Sequence, residues 1–417
     1  MNVMLTTRLL LAPILAALLV AAPLPVRGES PVQVTLTPSW QPIPRNFFGM
    51  HIHHAGGSTL WPAVPMAEWR LWDAYVAWPN LEPVRGQWHF ETLDKYMALA
   101  AGHDVGLVLP LGLSPTWASA RPDEKSVYRP GFAAEPKDIE DWRIYVGTVV
   151  RHCKGKIRAY EIWNEPNLKL FWTGTVDQML VLTREASRIV RSVDPQALVV
   201  SPSPTQERGT EWLSEFLGKG GGEFVDVIGY HFYVAPQAPE ATVPLVLKVK
   251  AILARNGAAG KPIWNTETGW FLPKPFPSEE LAGAYLARAY LVNWAAGVER
   301  LYWYSWDNHG WVTLETTEKD SRTLKAAGAA YAQIFHWLAG AIMRSCVMDS
   351  QQTWTCELER GAESQWIVWN AAGSRKFPLP ETWRAKNITT LLGQNRPLTD
   401  STFEIGPVPV LVTSGTL

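Results

Sequence analysis

Two short motifs hold the residues of this sequence that are best suited to chemistry. Residues 163–166 (Trp-Asn-Glu-Pro) contain Glu165, and residues 264–268 (Trp-Asn-Thr-Glu-Thr) contain Glu267. Each motif lies at the end of a short apolar run that predicts a buried strand. Two carboxyl groups that converge on one cleft are what hydrolysis of a glycosidic bond requires, one as the acid and the other as the nucleophile or base. The motifs therefore predict an enzyme that acts on sugars.

The elements that must position these glutamates follow a repeated β/α pattern. Between residues 41 and 340, short β-branched or aromatic runs alternate with longer amphipathic segments. Each predicted strand is followed by a turn and a helix-like stretch. The eight predicted strands are 47–50, 68–72, 106–111, 157–163, 197–201, 225–230, 262–264 and 300–305. Eight such units predict a closed (β/α)8 TIM barrel, an α/β fold whose catalytic groups lie at the C-terminal ends of its strands.

The pattern changes after residue 340, where short strand-like runs follow one another with only turns between them. These runs are 346–347, 352–358, 365–369, 376–379, 388–392, 402–405 and 408–412. They predict a small C-terminal all-β, sandwich-like domain over residues 341–417. We interpret it as a structural brace because it is short and follows the barrel without a Ser/Pro-rich linker. A carbohydrate-binding module is the alternative.

Composition and charge exclude one class of partner. The formal net charge is −1, from 38 basic and 39 acidic residues, with no basic stripe, so we expect no nucleic-acid partner. Hydrophobic residues make up 47% of the chain and charged residues 18%, which predicts a sizeable core. The 22 tryptophans suit both a deep core and a cleft in which aromatic rings stack on sugars.

The N-terminus has the organisation of an export signal. Arg8 precedes an apolar run at residues 9–22, and a proline-containing stretch then leads to Gly28, a small residue suited to cleavage. We predict a signal peptide at residues 1–28 and a secreted or periplasmic protein without stable membrane insertion once the signal is removed. An uncleaved anchor is the alternative, because the apolar run is close to spanning length.

Three cysteines leave room for one disulfide. Cys346 and Cys356 flank a polar segment, residues 348–352, that predicts a hairpin turn, and export permits a disulfide between them. Cys153 is expected to be a lone buried thiol. We predict neither a metal site nor a cofactor, because the sequence contains no Cys-x-x-Cys or His-x-x-x-His cluster.

Taken in order, the motifs resemble clan A of the retaining glycoside hydrolases, most closely glycoside hydrolase family 39 and its exopolysaccharide-hydrolase relatives. The resemblance is carried by Asn-Glu-Pro at residues 164–166 on the fourth predicted strand and by Thr266-Glu267 on the seventh. Arg70 on the second strand, Tyr-His-Phe-Tyr at residues 230–233 and the aromatic eighth strand ending at Trp306 support it. It spans residues 41–340, and the trailing β domain also fits the family.

The resemblance implies a two-step retaining mechanism on an oligosaccharide or polysaccharide. Glu165 would be the general acid/base and Glu267 the nucleophile, and Asn164 would donate to the 2-hydroxyl group of the sugar. Elementary electrostatics agrees with these roles: an apolar setting raises the pKa of an acid, whereas cations and hydrogen-bond donors keep a nucleophile ionised. The candidate donors to Glu267 are Arg70 and Tyr230 or Tyr233.

Further side chains are predicted to bind substrate, each with a structural alternative. They are Arg70, His231, Tyr233, His53, Trp117, Trp303 and Trp306. Arg70 could instead pair with Asp73, His231 could be a satisfied core histidine, and the tryptophans could simply pack. Glu161 lies too deep in its strand to be a first choice for catalysis and is expected in a polar layer of the barrel.

The substrate-binding cleft is predicted to be an open groove. The loop at residues 271–277 is short and stiffened by prolines, and the stretch after the first strand is also short. An open groove suits a monomeric endo-acting enzyme that cleaves a polysaccharide internally. The alternatives are an exo-acting β-xylosidase-like enzyme and a non-catalytic carbohydrate-binding protein.

Overall fold

The computed structural model describes residues 33–414, which form a barrel of parallel strands and an antiparallel β domain. Strand β1 (Val34–Leu36) belongs to the β domain. The barrel strands are β2 (Phe48–Met50), β3 (Glu68–Arg70), β4 (Gly106–Leu111), β5 (Ala159–Ile162), β6 (Leu198–Val200), β7 (Ile228–Tyr230), β8 (Ile263–Thr268) and β9 (Arg300–Trp303). Their order is β6-β5-β4-β3-β2-β9-β8-β7, and a parallel bridge between Val200 and Val227 joins the two ends. The predicted TIM barrel is confirmed.

Helices cover the barrel, but they do not follow every strand. They are α1 (Trp78–Leu81), α2 (Glu91–Gly102), α3 (Ile139–Cys153), α4 (Val176–Val193), α5 (Gly209–Gly218), α6 (Thr242–Arg255), α7 (Glu279–Ala296) and α8 (Ala326–Leu338). Local sequence sets their ends: Thr175 and Gln178 form a capping box at the start of α4, and Gly297 adopts φ 90° after α7. The expectation of a helix after each strand is wrong for β2, because residues 51–67 contain none.

Long loops rise on one side of the barrel mouth. Residues 112–138 connect β4 to α3, and residues 304–325 connect β9 to α8. Arg121 fixes the first of these loops by donating to both carboxylate oxygens of Glu135, at 2.7 and 2.6 Å, and to Thr173 at 2.8 Å. We predicted an open groove from the short loop at residues 271–277 and the short stretch after the first strand. The two long loops wall part of the cleft.

The β domain contains a strand at each of the seven runs predicted after residue 340. Its strands after that residue are β10 (Ile342–Met348), β11 (Thr353–Arg360), β12 (Glu363–Asn370), β13 (Arg375–Pro378), β14 (Asn387–Thr389), β15 (Asn395–Pro397), β16 (Thr402–Ile405) and β17 (Val410–Thr413). One sheet has the order β1-β10-β11-β12-β17-β14-β15, and β13 pairs with β16. Strands β1 and β15 were not predicted. Cys346 and Cys356 face each other across β10 and β11 and form a disulfide, and Cys153 is free and buried.

The β domain packs closely against the barrel. Trp369 of β12 stacks on Trp354 and donates from Nε1 to Glu240 at 2.8 Å. Arg288 of α7 also donates to Glu240, at 2.7 Å from Nε. Apolar residues of both regions belong to one continuous core. Such an interface resists independent motion of the two parts.

Within residues 33–414, no helix combines the length and the apolar character needed to cross a membrane. The predicted signal peptide, residues 1–28, lies outside the described residues.

Candidate active site

A sharp turn after β5 places Glu165 at the C-terminal rim of the barrel. The strand ends at Ile162, and both Trp163 (φ 63°) and Glu165 (φ 44°) adopt left-handed backbone conformations. Hydrogen bonds hold this turn against the next loop: Glu165 N–H donates to Ser203 at 3.0 Å, and the Asn167 amide bonds the backbone of Thr205. Left-handed non-glycine residues are strained and often mark functional sites. Here they re-aim the carboxyl group from the strand into the cleft.

Glu267 lies on β8 itself and receives two strong donors. Arg70, the last residue of β3, donates from Nη1 to Oε2 of Glu267 at 2.7 Å, and the Tyr233 hydroxyl donates to Oε1 at 3.0 Å. Arg70 is completely buried, whereas Glu267 keeps 6% of its surface exposed. These two hydrogen bonds hold the carboxylate of Glu267 in place, and a small part of its surface stays accessible.

Arg70 also organises the floor of the site. Its Nε donates to Glu161 at 2.5 Å, and its Nη2 donates to Oδ1 of Asn164 at 2.8 Å. Glu161 is fully buried and accepts further from Ser203 and from Thr266, the latter at 2.9 Å. The predicted polar layer around Glu161 is confirmed. The alternative ion pair between Arg70 and Asp73 is not formed.

The two candidate catalytic carboxyl groups meet across a short gap. One oxygen of Glu165 and one of Glu267 lie within 4.8 Å of each other. Glu165 keeps 8% of its surface exposed, so neither carboxyl group is sealed from the cleft. Retaining glycosidases separate their carboxyl groups by about 5 Å, and inverting ones by about 6.5–9.5 Å. The spacing matches the retaining arrangement.

Burial controls the protonation of this pair. Removal from water raises the pKa of Glu165 to about 7, opposed by the Thr205 hydroxyl and the Arg70 charge. Burial also raises the pKa of Glu267, to about 8, and the Arg70 charge opposes this rise while Glu165 and Asp73 add to it. Two buried carboxyl groups so close together favour holding one proton between them near neutral pH.

His231 contacts the acid candidate. Its Nδ1 lies 3.0 Å from Oε1 of Glu165, and its ring is fully buried. Burial and the nearby Arg70 charge lower the pKa of His231 well below its ordinary value, so the ring is neutral. In the structure His231 contacts Glu165 and so orients that carboxyl group. Its contact with substrate stays a prediction.

Among the described residues, Glu165, His231 and Glu267 also bring three possible metal-ligand atoms within 4.8 Å of one another. A cation at this point would meet the Arg70 guanidinium, which already donates to Glu267. Because that positive charge opposes a metal ion, the arrangement fits an acid and a nucleophile better than a metal site.

Two cavities flank the carboxyl pair. One, of about 670 Å³, is lined by residues of the loops after β2, β3, β4 and β9, including His53, Trp72, Asp73 and Tyr128. The other, of about 420 Å³, is lined by residues of the loops after β6 and β7, including Tyr233. Neither is lined by Glu165 or Glu267. The second cavity is also lined by Pro244, Leu245 and Lys248 of α6. In the strand order of the barrel, β5 and β8, whose ends carry Glu165 and Glu267, separate the two groups of loops.

The tryptophans predicted to stack on sugars lie elsewhere. Trp303 is fully buried and packs against Trp270, and Trp306 is 1% exposed and donates to the Ser321 carbonyl. Trp117 is half-buried, lies under Arg85 and donates to the Glu82 carbonyl. The prediction is wrong for Trp303 and Trp306, because a stacking platform must expose a ring face to the cleft. Trp117 lines neither cavity, and its contact with a sugar stays a prediction.

The other predicted substrate-binding residues fall into two groups. Arg70 and Tyr233 hold Glu267, and Arg70 is too deeply buried to touch a substrate, so that prediction is wrong for Arg70. His53 lines the larger cavity, with its backbone N–H bound to Asp307. Asn164 uses Oδ1 to accept from Arg70, which leaves its –NH2 group as the donor for a sugar.

Several site residues escaped the sequence analysis. Asp73 accepts hydrogen bonds from the hydroxyl groups of Tyr128 and, at 2.6 Å, Tyr304. Trp311, 42% exposed, stands edge-on to the rings of Tyr304 and Tyr233. Their aromatic and acidic types were a visible signal. Only the fold brings loops from three strands together, so position could not be read from the sequence.

Comparison with known proteins agrees with this geometry. The family model for glycosyl hydrolases family 39 matches residues 70–303, which include Arg70 at its start and both glutamates. The chain belongs to glycosyl hydrolase family 39.

Individual relatives have low sequence identity to this chain and match only part of it. A beta-xylosidase of Geobacillus stearothermophilus is 28% identical over 224 residues, which are 47% of this chain and 43% of that protein. A beta-xylosidase of Caldicellulosiruptor saccharolyticus is 32% identical over 111 residues, 25% of this chain and 22% of that protein. The matched stretches thus span less than half of either relative.

Solved structures share the fold across nearly the whole chain. A family 39 glycoside hydrolase from Bacteroides cellulosilyticus WH2 superposes with a TM-score of 0.73 at 18% identity, covering 89% of this chain and 81% of that one. A GH39 beta-xylosidase from Caulobacter crescentus gives 0.64 at 16% identity, covering 91% and 97%.

Proposed function

We propose that this protein is a retaining, endo-acting glycosidase that cleaves a polysaccharide, with Glu165 as the general acid/base and Glu267 as the nucleophile. The observation that carries the proposal is the gap of at most 4.8 Å between oxygens of the two carboxyl groups at the C-terminal rim. A sugar ring bound there would have one carboxyl group facing its anomeric carbon and the other facing the leaving oxygen.

The hydrogen bonds divide the two roles. Arg70 donates directly to Glu267 and acts on Glu165 only through space, and Tyr233 adds a second donor to Glu267. Taken alone, the pKa of about 8 for Glu267 against about 7 for Glu165 would place the shared proton on Glu267. We assign it to Glu165, because protonating Glu267 would cancel a buried ion pair.

In the first step, the ionised Glu267 attacks the anomeric carbon while Glu165 gives its proton to the departing glycosidic oxygen. A bond forms between Glu267 and the sugar, and the bond to the leaving oxygen breaks. The –NH2 group of Asn164 donates to the 2-hydroxyl group, a bond that strengthens as positive charge develops on the ring.

In the second step, a water molecule replaces the departed sugar. Glu165, now ionised, takes a proton from this water, which attacks the anomeric carbon and releases Glu267. Esterification of Glu267 in the first step removes its negative charge, so the ionised Glu165 no longer has a like charge beside it. The same carboxyl group can therefore serve as acid and then as base.

The two cavities support internal cleavage. One lies on the arc of β2, β3, β4 and β9, and the other lies on the arc of β6 and β7. A chain that passes over the carboxyl pair could occupy both. An exo-acting β-xylosidase-like activity is the second candidate, because the two curated relatives reported above are named beta-xylosidases. Rapid release of aryl groups from monosaccharide glycosides without shortening of any polymer would favour it.

The location and assembly of the protein belong to the same proposal. An enzyme that cleaves an extracellular polysaccharide must be exported to reach it. The export signal expected from residues 1–28 agrees with this requirement. We propose a secreted or periplasmic monomer. Detection of the mature protein outside the cytoplasm, with an N-terminus near residue 29, tests this point.

Azide rescue tests the assignment of the two glutamates. Glu165→Ala should lose turnover of poorly activated glycosides, and azide should restore release from an activated aryl glycoside with a glycosyl azide of retained configuration. Glu267→Ala should instead give a glycosyl azide of inverted configuration. Glu211→Gln, on the exposed face of α5, is the matched control and should behave as the wild type. Normal turnover in either catalytic variant contradicts the proposal.

A further inference from the structure

The larger cavity contains an acidic side chain that the mechanism does not use. Asp73 lines this cavity and accepts one phenolic hydroxyl at each oxygen, from Tyr128 at Oδ1 and from Tyr304 at Oδ2. Asn308, also in the lining, donates to the Tyr304 oxygen at 3.1 Å. The carboxylate is thus held in place by a built network, with lone pairs left to accept from a ligand.

The backbone supports the same position at a cost. Asp73 has φ 56° and Tyr75 has φ 59°, so two non-glycine residues within one short loop are left-handed. Such residues are strained and persist only where the surroundings impose them. The loop directly follows Arg70, and its conformation turns Asp73 toward the cavity rather than letting the carboxylate pair with that guanidinium.

One acidic side chain, Asp73, and one basic side chain, Arg129, line the cavity. The ion pairs of Arg70 with Glu161 and Glu267 lie outside its lining. Burial lowers the pKa of His53, so this wall residue adds no positive charge at neutral pH.

One cation stands at the rim of the cavity. Arg129 lines it but is exposed to solvent, where its charge is screened by water and salt. Asp73 is fixed by hydrogen bonds and partly buried, so it acts at shorter range and in a lower dielectric. Asp73 therefore contributes more to the field inside the cavity than Arg129 does.

We propose that Asp73 makes this cavity select an uncharged sugar and exclude one that carries a carboxylate, such as a uronic acid. The inference rests on the proposed function in that the cavity would hold a sugar unit beside the cleaved bond. A hydroxyl group of a neutral sugar donates to Asp73. A uronate has no proton to offer from its carboxylate and meets a charge of the same sign.

Binding of two matched probes tests this selectivity. Methyl β-D-glucopyranoside and methyl β-D-glucuronopyranoside differ only at C6, and saturation-transfer NMR can follow both with the full-length protein. We expect the glucuronide to bind about tenfold more weakly at low salt, the effect of one like-charge contact in a solvent-accessible cavity. The difference should shrink at high salt.

Three variants assign the effect to Asp73. Asp73→Asn removes the charge and keeps the shape, so the ratio of the two affinities should fall toward one. Asn308→Asp adds a carboxylate to the same wall and should increase the ratio. Arg129→Gln at the rim should leave it unchanged. The opposite signs of the first two variants separate charge from loss of folding.

Four results would overturn the inference: equal affinities in the wild type, no binding of either probe, a ratio that Asp73→Asn leaves unchanged, or a large loss of glucuronide binding in Arg129→Gln. None of these measurements requires turnover. Failure of the roles assigned to Glu165 and Glu267 would leave the affinity ratio intact and is therefore distinguishable from failure of this inference.

Discussion

At the scale of single residues, Arg70 decides how two nearly identical side chains acquire different chemistry. Its guanidinium binds Glu267 and Glu161 at the same time and orients Asn164 through a third contact. Lysine could keep the charge but could not reproduce three directed bonds from one planar group. The residue acts through Glu267 rather than on the sugar itself.

Replacement of Arg70 tests this positioning role. Arg70→Lys should lower kcat by roughly a hundredfold, because a displacement of about 1 Å at the reacting groups has that effect. KM should change much less. Steady-state kinetics measures kcat and KM separately. When Arg70→Lys is combined with Glu267→Ala, azide rescue should still give a glycosyl azide of inverted configuration. A kcat within a few-fold of the wild type would contradict the role, and Arg129→Lys at the rim is the control.

The pH profile tests the shared proton. Burial raises the pKa values of Glu165 and Glu267 to about 7 and about 8, so the proton needed by the leaving group is present below this range and is lost as the pH rises through it. We expect kcat/KM to fall on the alkaline side near pH 7–8. With an activated aryl glycoside, Glu165→Gln should abolish that alkaline limb. An alkaline limb that persists in this variant would assign the titration to another group.

At the residue scale, the sequence predicted the types of the site residues and their order along the chain, but not how deeply each side chain is buried. Glu165 and Glu267 were identified because each closes a strand-like run. Trp303 and Trp306 also lie at the end of a strand-like run, but their side chains are buried in the core. Asp73 was considered only as a partner for Arg70, because nothing local announces a left-handed backbone at that position. Side-chain direction after a strand end depends on tertiary packing.

At the scale of elements, the loop at residues 112–138 connects two halves of the site. It carries Tyr128 toward Asp73, and Arg121 ties it to Thr173 in the loop that follows Glu165. The backbone adds a bond between Val127 and Leu170 at 3.0 Å. Strand positions were readable from apolar runs, and all eight were found. Loop structure was not readable, because its hydrogen bonds join residues far apart in sequence.

Loosening this loop should affect binding more than stability. Arg121 is 37% exposed, so Arg121→Gln should lower the free energy of unfolding by less than about 1 kcal/mol. We expect KM for polymer to rise several-fold and trypsin to cut faster after Lys125. The matched control is Arg143→Gln, whose side chain is 36% exposed and pairs with Glu185 between helices. Equal proteolysis of both variants would show that Arg121 does not restrain the loop.

At the scale of the whole molecule, the β domain behaves as part of one body. Strand β1 pairs with β10, so the described chain contributes first to the β domain, then builds the barrel and returns to the β domain. The return after residue 340 was predicted, whereas β1 was not, because its three residues carry little periodicity on their own. The interface centred on Trp369 and Glu240 favours a brace over a mobile binding module.

Unfolding tests the brace. Trp369→Ala should lower the free energy of unfolding by about 3–5 kcal/mol, as for other large buried aromatic residues, and should leave one cooperative transition. Calorimetry would measure both. Trp383→Ala, which removes a partly buried ring within the β domain away from this interface, is the control and should cost less. Two separate transitions in the wild type would contradict a single body.

The most direct test of the central claim is the site of a trapped sugar. The enzyme would be treated with the 2-deoxy-2-fluoro analogue of the aryl glycoside that it hydrolyses fastest, digested, and sequenced by mass spectrometry. The account predicts one sugar per chain, esterified to Glu267. An ester on Glu165, or release of product with inverted anomeric configuration and no ester, would contradict it.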